Sequence, residues 1–326
     1  MTSFQQPILI LGASGFIGSH LTRALLSDGH PVRAFSRRFD REEVQKLGPS
    51  ELLEVHEASI FDEPALMKAL RGVSTVVNML TFSVPNTSPT NLQGEISMTF
   101  QATNLLLSAM VKSGTRTLIF PSSGGTIYGE VASGAASEDD PSAPLNSHGL
   151  GKLICEEMIH FYNRVHGLEY LILRISNPYG AGRIRRVSQG VIDVFLEELQ
   201  ACRALNLWGS LDVVRDYIFI DDLIEVFLKL LRAGSLESST LNVGSSRGTS
   251  LREVLEVMAK VTGVTPKLQF ADDKFAGVRH IVLNTERLRS LIDWSPRYDI
   301  EKGIRETWNR KRALHAPAAL SELIHS

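Results

Sequence analysis

The stretch Ile8–Leu21, with the sequence ILILGASGFIGSHL, most constrains how this chain can fold. Its first four residues are apolar, which indicates a strand buried on both faces. Gly12, Gly15 and Gly18 follow at three-residue spacing, and an apolar helical period begins after them. A strand, a glycine turn and a helix in this order predict a dinucleotide-binding site.

The glycines and the first helical residues have separate tasks in such a site. Gly12 permits the tight turn, Gly15 lets the backbone approach a pyrophosphate, and Gly18 lets the helix pack closely. Phe16 and Ile17 begin the helix, where backbone N–H groups attract an anion. We therefore expect these five residues to bind the cofactor. The alternative is a plain strand-to-helix turn.

The end of the second predicted strand, residues 32–36, bears on which dinucleotide binds. A dinucleotide fold usually places an acid there, on the adenosine ribose. This chain has Ser36, followed by Arg37 and Arg38. A hydroxyl and a guanidinium bind a 2′-phosphate, whereas a carboxylate repels it. Ser36 and Arg37 thus favour NADP over NAD as the cofactor, unless the two arginines simply face solvent.

Strands and helices alternate along the rest of the chain. This order predicts an α/β fold with a mostly parallel, doubly wound sheet. Ser147 is a candidate N-cap for the helix that begins at His148. The expected units are a dinucleotide-binding domain (residues 1–176 plus 213–245), a smaller substrate-binding domain (177–212 plus 246–312) and a tail (313–326). Further strands are predicted at 52–55, 75–80, 117–120, 170–175, 205–208 and 218–220, and helices at 64–70, 93–112, 148–166, 191–201 and 221–231.

Composition excludes several classes of partner. A net charge of −2 and the absence of a basic tail argue against nucleic acid and against an anionic membrane. Cys155 and Cys202 fit neither a disulfide framework nor a zinc site, and we assign no metal. No signal peptide and no apolar run of bilayer length are recognised, so we expect a cytoplasmic enzyme.

Polar side chains collect after the fifth predicted strand and on the following helix. Ser122, Ser123 and Thr126 lie where parallel sheets usually hold ligands, although the loop is also rich in turn formers. His148 and Lys152 are four residues apart, so they share one helix face. These positions are candidates for catalysis.

Six ordered stretches together resemble the extended short-chain dehydrogenase/reductase family, in its nucleotide-sugar epimerase and dehydratase branch. The likeness runs from Ile8 to about Trp308. The stretches are GASGFIG, SSGGTIYG (122–129), Lys152 on its helix, RISNPYG (174–180), WGSLDVVRDYIFIDDL (208–223) and IDWSPRYDIEKGI (292–304).

The resemblance implies a Rossmann domain with a smaller C-terminal domain, an NAD or NADP cofactor and a nucleotide-sugar substrate. It also implies a homodimer through the helices at 93–112 and 148–166. Asn177 and Arg215 would contact the nucleotide diphosphate, and Ser122 and Tyr179 complete the expected substrate-binding set. Lys152 would bind the nicotinamide ribose. Arg215 could instead form a salt bridge to a neighbouring aspartate.

The chain departs from the family pattern where the chemistry occurs. The family's Tyr-x-x-x-Lys is here His148-Gly-Leu-Gly-Lys152, and the usual serine falls at Gly124. Thr126 and Ser123 are the nearest hydroxyls. The asparagine of the preceding long helix aligns with Met98, and the adenine-side aspartate aligns with Ser59, a fourth departure.

His148 has two open interpretations. An imidazole with a pKa near ~6.5 can take or give a proton, and a neighbouring Lys152 cation would keep it neutral. It is shorter than a phenol, and a misplacement of about 1 Å can cost ~10²-fold in rate. The alternative is a histidine that only caps or packs at the start of a helix.

Three functions follow from these residues. The first is an NAD(P)-dependent nucleotide-sugar epimerase that works through a 4-keto intermediate. The second is an NADPH-dependent 4-keto-sugar reductase, which the serine–arginine cluster at 36–38 favours. The third is a protein that binds cofactor or nucleotide sugar without catalysis, which the altered catalytic set favours.

Overall fold

The computed structural model describes residues 6–40, 44–45, 47, 50–82, 92–131, 134–180, 190–234, 237–271 and 277–315. Residues 316–326, which are most of the predicted tail (313–326), lie outside the described residues. The strands are β1 Ile8–Leu11, β2 Val32–Ser36, β3 Leu53–Glu57, β4 Thr75–Asn78, β5 Thr117–Ser123, β6 Glu169–Ile175, β7 Asn177–Tyr179, β8 Leu205–Trp208, β9 Val214–Phe219, β10 Ser239–Val243, β11 Gly248–Ser250, β12 Leu268–Ala271 and β13 His280–Ile281. The helices are α1 Phe16–Ser27, α2 Glu63–Leu70, α3 Leu92–Ser113, α4 Gly124–Ile127, α5 Ser147–His166, α6 Val191–Gln200, α7 Ile220–Ala233, α8 Leu251–Thr262, α9 Glu286–Leu291 and α10 Ile300–His315.

The main sheet has seven parallel strands in the order β10-β6-β5-β4-β1-β2-β3. The strand order reverses between β1 and β4, so a crevice opens beyond their carboxyl ends. The predicted doubly wound α/β fold is therefore confirmed. That crevice is where an α/β sheet of this topology holds its ligands.

Helices cover both faces of the main sheet. On one face, Ile8 and Ile10 pack in a core with residues of α1 and α7. On the other face, Leu9 and Leu11 pack in a core with residues of α2, α3 and α5. The alternation confirms that β1 is buried on both faces, as its four apolar residues predict. The burial also fixes the position of the glycine turn that follows.

A second sheet is built around β9, which pairs with β7, β11 and β13. The predicted strand at 218–220 begins earlier, at Val214, and ends at Phe219, since Ile220 starts α7. The early start was missed because Arg215 and Asp216 are charged. In the structure, backbone groups satisfy both side chains, which allows them to lie in a strand.

The helix α5 begins one residue earlier than predicted. Ser147 is not the N-cap of α5: it is the first helical residue, and the Asn146 side chain accepts a hydrogen bond from the Gly149 N–H at 2.8 Å.

Within the described part of the chain, no helix combines the length and apolar character needed to cross a membrane. The division of the chain into two domains stays a prediction.

Candidate functional site

The turn between β1 and α1 is closely packed around its glycines. Gly12 has φ +79°, a conformation that favours glycine. A Cβ on Gly18 would lie 2.3 Å from the Gly12 carbonyl oxygen, and one on Gly15 would lie 3.1 Å from the same atom. Only glycine allows this packing at position 18 without a shift of the backbone.

The N-terminus of α1 suits an anion. Gly15 supplies no side-chain cap, and the first turn holds no acidic residue. The N–H groups of Phe16 and Ile17 belong to that turn, where the helix itself offers no acceptor. The helix dipole adds partial positive charge at the same place. The cradle therefore fits the pyrophosphate of a dinucleotide, as the glycine spacing predicts.

The carboxyl end of β2 presents hydroxyls and two exposed arginines. The Ser36 Oγ lies 2.6 Å from the Ser14 Oγ, and the Ser36 side chain is buried. Arg37 and Arg38 are exposed and form no ion pair with any described residue. Glu57 is opposite Ser36 in β3, and its carboxylate accepts the Phe39 N–H at 3.0 Å. Positive charge is thus available beside Ser36.

His148 and Lys152 both line a pocket between α3 and α5. Thr99 and Thr103 of α3 also line it, together with Leu80 beyond β4. The Lys152 Nζ donates to the carbonyl of the residue before Ser122, Pro121, at 2.7 Å. Burial lowers the pKa of the Lys152 ammonium, whereas nearby Cys155 and Glu156 raise it. The structure therefore brings the two predicted catalytic residues of α5 to one cavity.

The predicted hydroxyls occupy the short helix α4 and the residue before it. The Thr126 Oγ1 donates to the Ser123 Oγ at 2.8 Å. A Cβ on Gly149, the neighbour of His148, would lie 2.5 Å from the Thr126 carbonyl oxygen. The start of α5 is consequently pressed against α4, and Ser123, Thr126 and His148 belong to one corner of the molecule.

Gly124, where the family pattern expects serine, has no room for a side chain. A Cβ there would lie 2.5 Å from Leu283 Cδ1 and 2.9 Å from the Arg174 carbonyl oxygen. The adjacent Gly125 differs, because its Cβ would lie 3.5 Å from the Asn177 side chain, an ordinary contact. The position where the resemblance leads us to expect serine is therefore closed by the packing of its neighbours.

Ser122 and Tyr179, both predicted to bind substrate, are buried. Ser122 lies beside Arg174 in the register of β5 and β6, and its Oγ has no hydrogen-bond partner among the described residues. Tyr179 packs edge-on against Tyr217 and Phe219, and its Oη donates to a backbone carbonyl. Burial and nearby aspartates raise the pKa of Tyr179 above its ordinary value. Substrate contact by either residue stays a prediction.

Arg215 is a cation that no carboxylate of the described chain neutralises directly. Its guanidinium donates to the carbonyls of Val214, at 2.8 Å, and Val278, at 2.6 Å. Burial lowers the pKa of Arg215, and this effect is larger than the opposite effect of Tyr217 and Glu130, which raise the pKa. Partly buried positive charge held by neutral carbonyls attracts an anion.

The aspartates that neighbour Arg215 in the sequence, Asp216, Asp221 and Asp222, have partners other than Arg215. Asp216 accepts N–H groups of Ser245, Ser246 and Leu283. Asp221 pairs with Arg310, and Asp222 accepts the N–H groups of Arg297 and Tyr298. Asn177 lies close by, with its Nδ2 donating to the Asp216 carbonyl at 2.9 Å. The salt-bridge alternative for Arg215 is therefore wrong.

Sequence reasoning missed one buried ion pair beside the site. Glu156 on α5 and Arg174 on β6 are 0 % and 7 % exposed, and their shortest contact, Nη2 to Oε2, is 2.7 Å. A signal was present, because Arg174 interrupts the apolar strand sequence YLILRI. A charge in such a strand requires a partner from a neighbouring element.

Comparisons with known proteins agree with this geometry. The sequence profile of the NAD dependent epimerase/dehydratase family matches residues 8–244. The dTDP-4-dehydro-6-deoxyglucose reductase of Escherichia coli is 28 % identical over 310 residues, which cover 93 % of this chain and 97 % of that protein. The UDP-glucose 4-epimerase of Mycolicibacterium smegmatis is 28 % identical over 304 residues, which cover 92 % and 96 %. The UDP-glucose 4-epimerase of Thermus thermophilus, solved with NAD, has a TM-score of 0.85 at 28 % identity, covering 94 % of this chain and 99 % of that one.

Proposed function

Because the chain belongs to the NAD dependent epimerase/dehydratase family, we propose that it is a nucleotide-sugar 4-epimerase with an altered catalytic set. Family membership makes it an enzyme of the extended short-chain dehydrogenase/reductase type, with NAD or NADP as cofactor. The observation that carries the proposal is the Arg215 guanidinium, which pairs with no described carboxylate and is suited to a diphosphate. Asn177, which is tied to the same strand, completes the expected contact.

The cofactor, when bound, would supply the hydride acceptor for the sugar C4 and the hydride donor for the opposite face of the 4-keto sugar. Gly12, Gly15 and Gly18 would hold its pyrophosphate, and Lys152 would hold the nicotinamide ribose. His148 would accept the proton of the C4 hydroxyl while that carbon loses its hydride, and would give the proton back on return. The Lys152 cation favours the neutral imidazole needed to accept the proton.

The test identifies the bound cofactor and measures the effect of replacing Arg215 on epimerase activity. The purified protein is denatured to identify any released cofactor and is assayed for interconversion of UDP-glucose and UDP-galactose. Arg215→Met is expected to raise the KM for the nucleotide sugar by about 10- to 100-fold, since charge-assisted hydrogen bonds contribute about 1.5–3 kcal/mol. Arg203→Met, in an exposed ion pair on the surface, is the matched control. An unchanged KM in Arg215→Met contradicts the proposed diphosphate contact.

A reductase is the second candidate, and the carboxyl end of β2 favours it. Ser36, with Arg37 and Arg38 beside it and no described carboxylate paired to either arginine, suits the 2′-phosphate of NADPH. One relative reported above is a 4-keto-sugar reductase. A protein purified without cofactor that consumes NADPH stoichiometrically with a 4-keto sugar supports the reductase. Tightly held NAD that is regenerated in each turnover supports the epimerase.

A non-catalytic binding protein is the third candidate, favoured by His148 in place of tyrosine and by the filled position at Gly124. Cofactor and nucleotide-sugar binding without turnover of either sugar class would identify it. Measured turnover that is lost in His148→Phe eliminates it.

We also propose a homodimer through α3 and α5. These two helices pack against each other, and both leave large apolar side chains exposed, which are Met98, Phe100 and Val111 on α3 and Phe161 and Val165 on α5. Exposed apolar groups on adjacent helices suit a helix-to-helix interface. Sedimentation of the protein and of a Phe100→Glu, Phe161→Glu variant tests this, with a monomeric wild type as the contrary result.

A further inference from the structure

The buried pair formed by Glu156 and Arg174 lies directly beside the proposed catalytic residues. Both Glu156 oxygens lie 3.2 Å from the Arg174 Nε, and Oε2 also lies 2.7 Å from Nη2. Burial alone would lower the pKa of Arg174, but Glu156 reverses this and raises it. The contact is thus charged, bidentate and shielded from water.

The position of Glu156 on α5 relates it to Lys152. His148, Lys152 and Glu156 are spaced four residues apart, so they lie on one face of the helix. Lys152 donates to a backbone carbonyl and lies 4.6 Å from the centre of the Phe120 ring. Neither contact supplies negative charge, and Glu156 is the carboxylate one helical turn away.

Arg174 is itself held from a second side. Its guanidinium lies 4.9 Å from the ring centre of Tyr128, whose hydroxyl donates to the Asn242 Oδ1 at 2.7 Å. The Asn242 N–H in turn donates to Glu138 at 2.7 Å. The pair therefore links α5 to β6, to the end of α4 and to the edge strand β10. This linkage fixes the distance between Arg174 and the face of α5.

A pair of this kind is a costly way to obtain stability. Removing two charges from water is offset only in part by their attraction, and apolar residues of similar size often stabilise as well or better. Stability alone therefore does not account for charges at these two positions. Their place on the Lys152 face of α5 offers another reason.

We propose that Glu156 and Arg174 are positioning residues for Lys152, which set the charge around its ammonium and fix α5 against the sheet. The inference rests on the proposed function, in which Lys152 holds the cofactor. The negative charge of Glu156 stabilises the protonated form of Lys152. The positive charge of Arg174 offsets part of that stabilisation. The two charges together leave Lys152 able to donate a hydrogen bond in a site that otherwise favours its neutral form.

Among the described residues, Cys155 and Glu156 of the same helix raise the pKa of Lys152. His148 lines the same pocket as Lys152, and Arg174 of β6 is paired with Glu156. Tyr128 lies beyond Arg174, and burial raises the pKa of its phenol to about 12. The described residues of α3 that line the pocket are uncharged. Changes at Glu156 and Arg174 are therefore expected to act on Lys152 in opposite directions.

The experiment measures the pH dependence of NADH and NADPH binding by fluorescence between about pH 6 and pH 10, below the ordinary pKa of a lysine, because burial lowers the pKa of Lys152. Wild-type affinity is expected to fall on the alkaline side as Lys152 loses its proton. Glu156→Gln removes a negative charge, which moves this fall to lower pH by about one unit. Arg174→Met removes a positive charge, which moves it to higher pH by about as much.

The double variant Glu156→Gln, Arg174→Met addresses folding. It contains neither buried charge, so it is expected to fold even where a single variant does not, and its alkaline fall is expected to return near the wild-type pH. Glu198→Gln and Arg203→Met, in an exposed pair, are controls expected to leave the fall unchanged. Thermal unfolding of every variant separates loss of fold from loss of binding.

Three results overturn the inference. They are an unchanged pH of the fall in Glu156→Gln, a double variant that differs from wild type as much as Glu156→Gln does, and a wild type that binds cofactor without any alkaline fall. A wild type that binds neither cofactor at any pH instead overturns the proposed function. Opposite shifts in the single variants, cancelled in the double, support the inference.

Discussion

The turn between β1 and α1 and the corner formed by α4 and α5 lie at the same edge of the main sheet, but they keep different amounts of the family pattern. The turn retains Gly12, Gly15 and Gly18, with backbone packed around them. The corner has Lys152, but it has His148 where the resemblance leads us to expect tyrosine, and the space beside Gly124 is occupied. The two regions therefore differ in how closely they follow the pattern that the resemblance predicts.

The two regions differ in which atoms occupy the space around their glycines. The glycine turn is packed against its own backbone, so a side chain on Gly18 would require the backbone to shift. At the corner formed by α4 and α5, Leu283 fills the space that a side chain on Gly124 would need, and Asn146 caps the helix that carries His148. The space beside Gly124 is therefore filled, whereas His148 and Lys152 of the same corner line a pocket. Four predictions test the comparison, two at this corner and two at the cofactor side formed by the glycine turn and the end of β2.

The largest effect is expected at His148. His148→Phe removes the group that is proposed to transfer the proton and is expected to lower turnover by about 10²- to 10⁴-fold. Cofactor affinity is expected to stay nearly intact, because Lys152 and the glycine turn are unchanged. Steady-state rates and cofactor titrations measure the two quantities.

His160→Phe, further along α5, is the control for this change. The activity of His148→Tyr then distinguishes two interpretations of the corner formed by α4 and α5. Higher activity indicates a damaged version of the usual site, and lower activity indicates a pocket rebuilt around imidazole. Turnover that survives in His148→Phe would return His148 to a structural role.

The next effect is expected at the glycine turn. Gly18→Ala places a Cβ 2.3 Å from the Gly12 carbonyl oxygen, so α1 must move away from β1. We expect the cofactor affinity to fall by about 100-fold, or ~2.7 kcal/mol, since the helix N-terminus leaves the pyrophosphate. Calorimetric titration measures it, with Ser19→Ala on the same helix as the control. Equal affinities of Gly18→Ala and wild type would remove the turn from the cofactor site.

A smaller effect separates two adjacent glycines of α4. Gly124→Ser is expected to lower the free energy of unfolding by about 1–3 kcal/mol, because Leu283 and the Arg174 carbonyl occupy the space. Gly125→Ser, with an ordinary contact to Asn177, is expected to change it by less than about 1 kcal/mol. Chemical denaturation measures both. Similar stabilities of the two variants would mean that the corner can readmit the family serine.

These residues also show how much the sequence can predict. The apolar run before Gly12 and the regular alternation of elements predict the doubly wound sheet, because both depend on local periodicity. His148 and Lys152 are found by their spacing on one helix. The contact of Gly124 with Leu283 joins residues far apart in the chain, and no local pattern encodes it. The partner of Arg174 likewise comes from another element, so only the need for a partner is predictable.

The smallest effect is expected at the end of β2 and concerns which dinucleotide the turn accepts. Arg37 is exposed and has no ion-pair partner among the described residues, and Ser36 beside it is tied to Ser14. Arg37→Ala is expected to weaken NADP binding by about 10-fold, or ~1.4 kcal/mol, because one charge-assisted contact to the 2′-phosphate is lost. NAD lacks that phosphate, so its affinity is expected to stay the same. Parallel titrations of both dinucleotides, with Arg71→Ala as a surface control, measure the difference. Equal losses for NAD and NADP contradict the 2′-phosphate contact, and the glycine turn would then be a general dinucleotide cradle whose preference is set elsewhere.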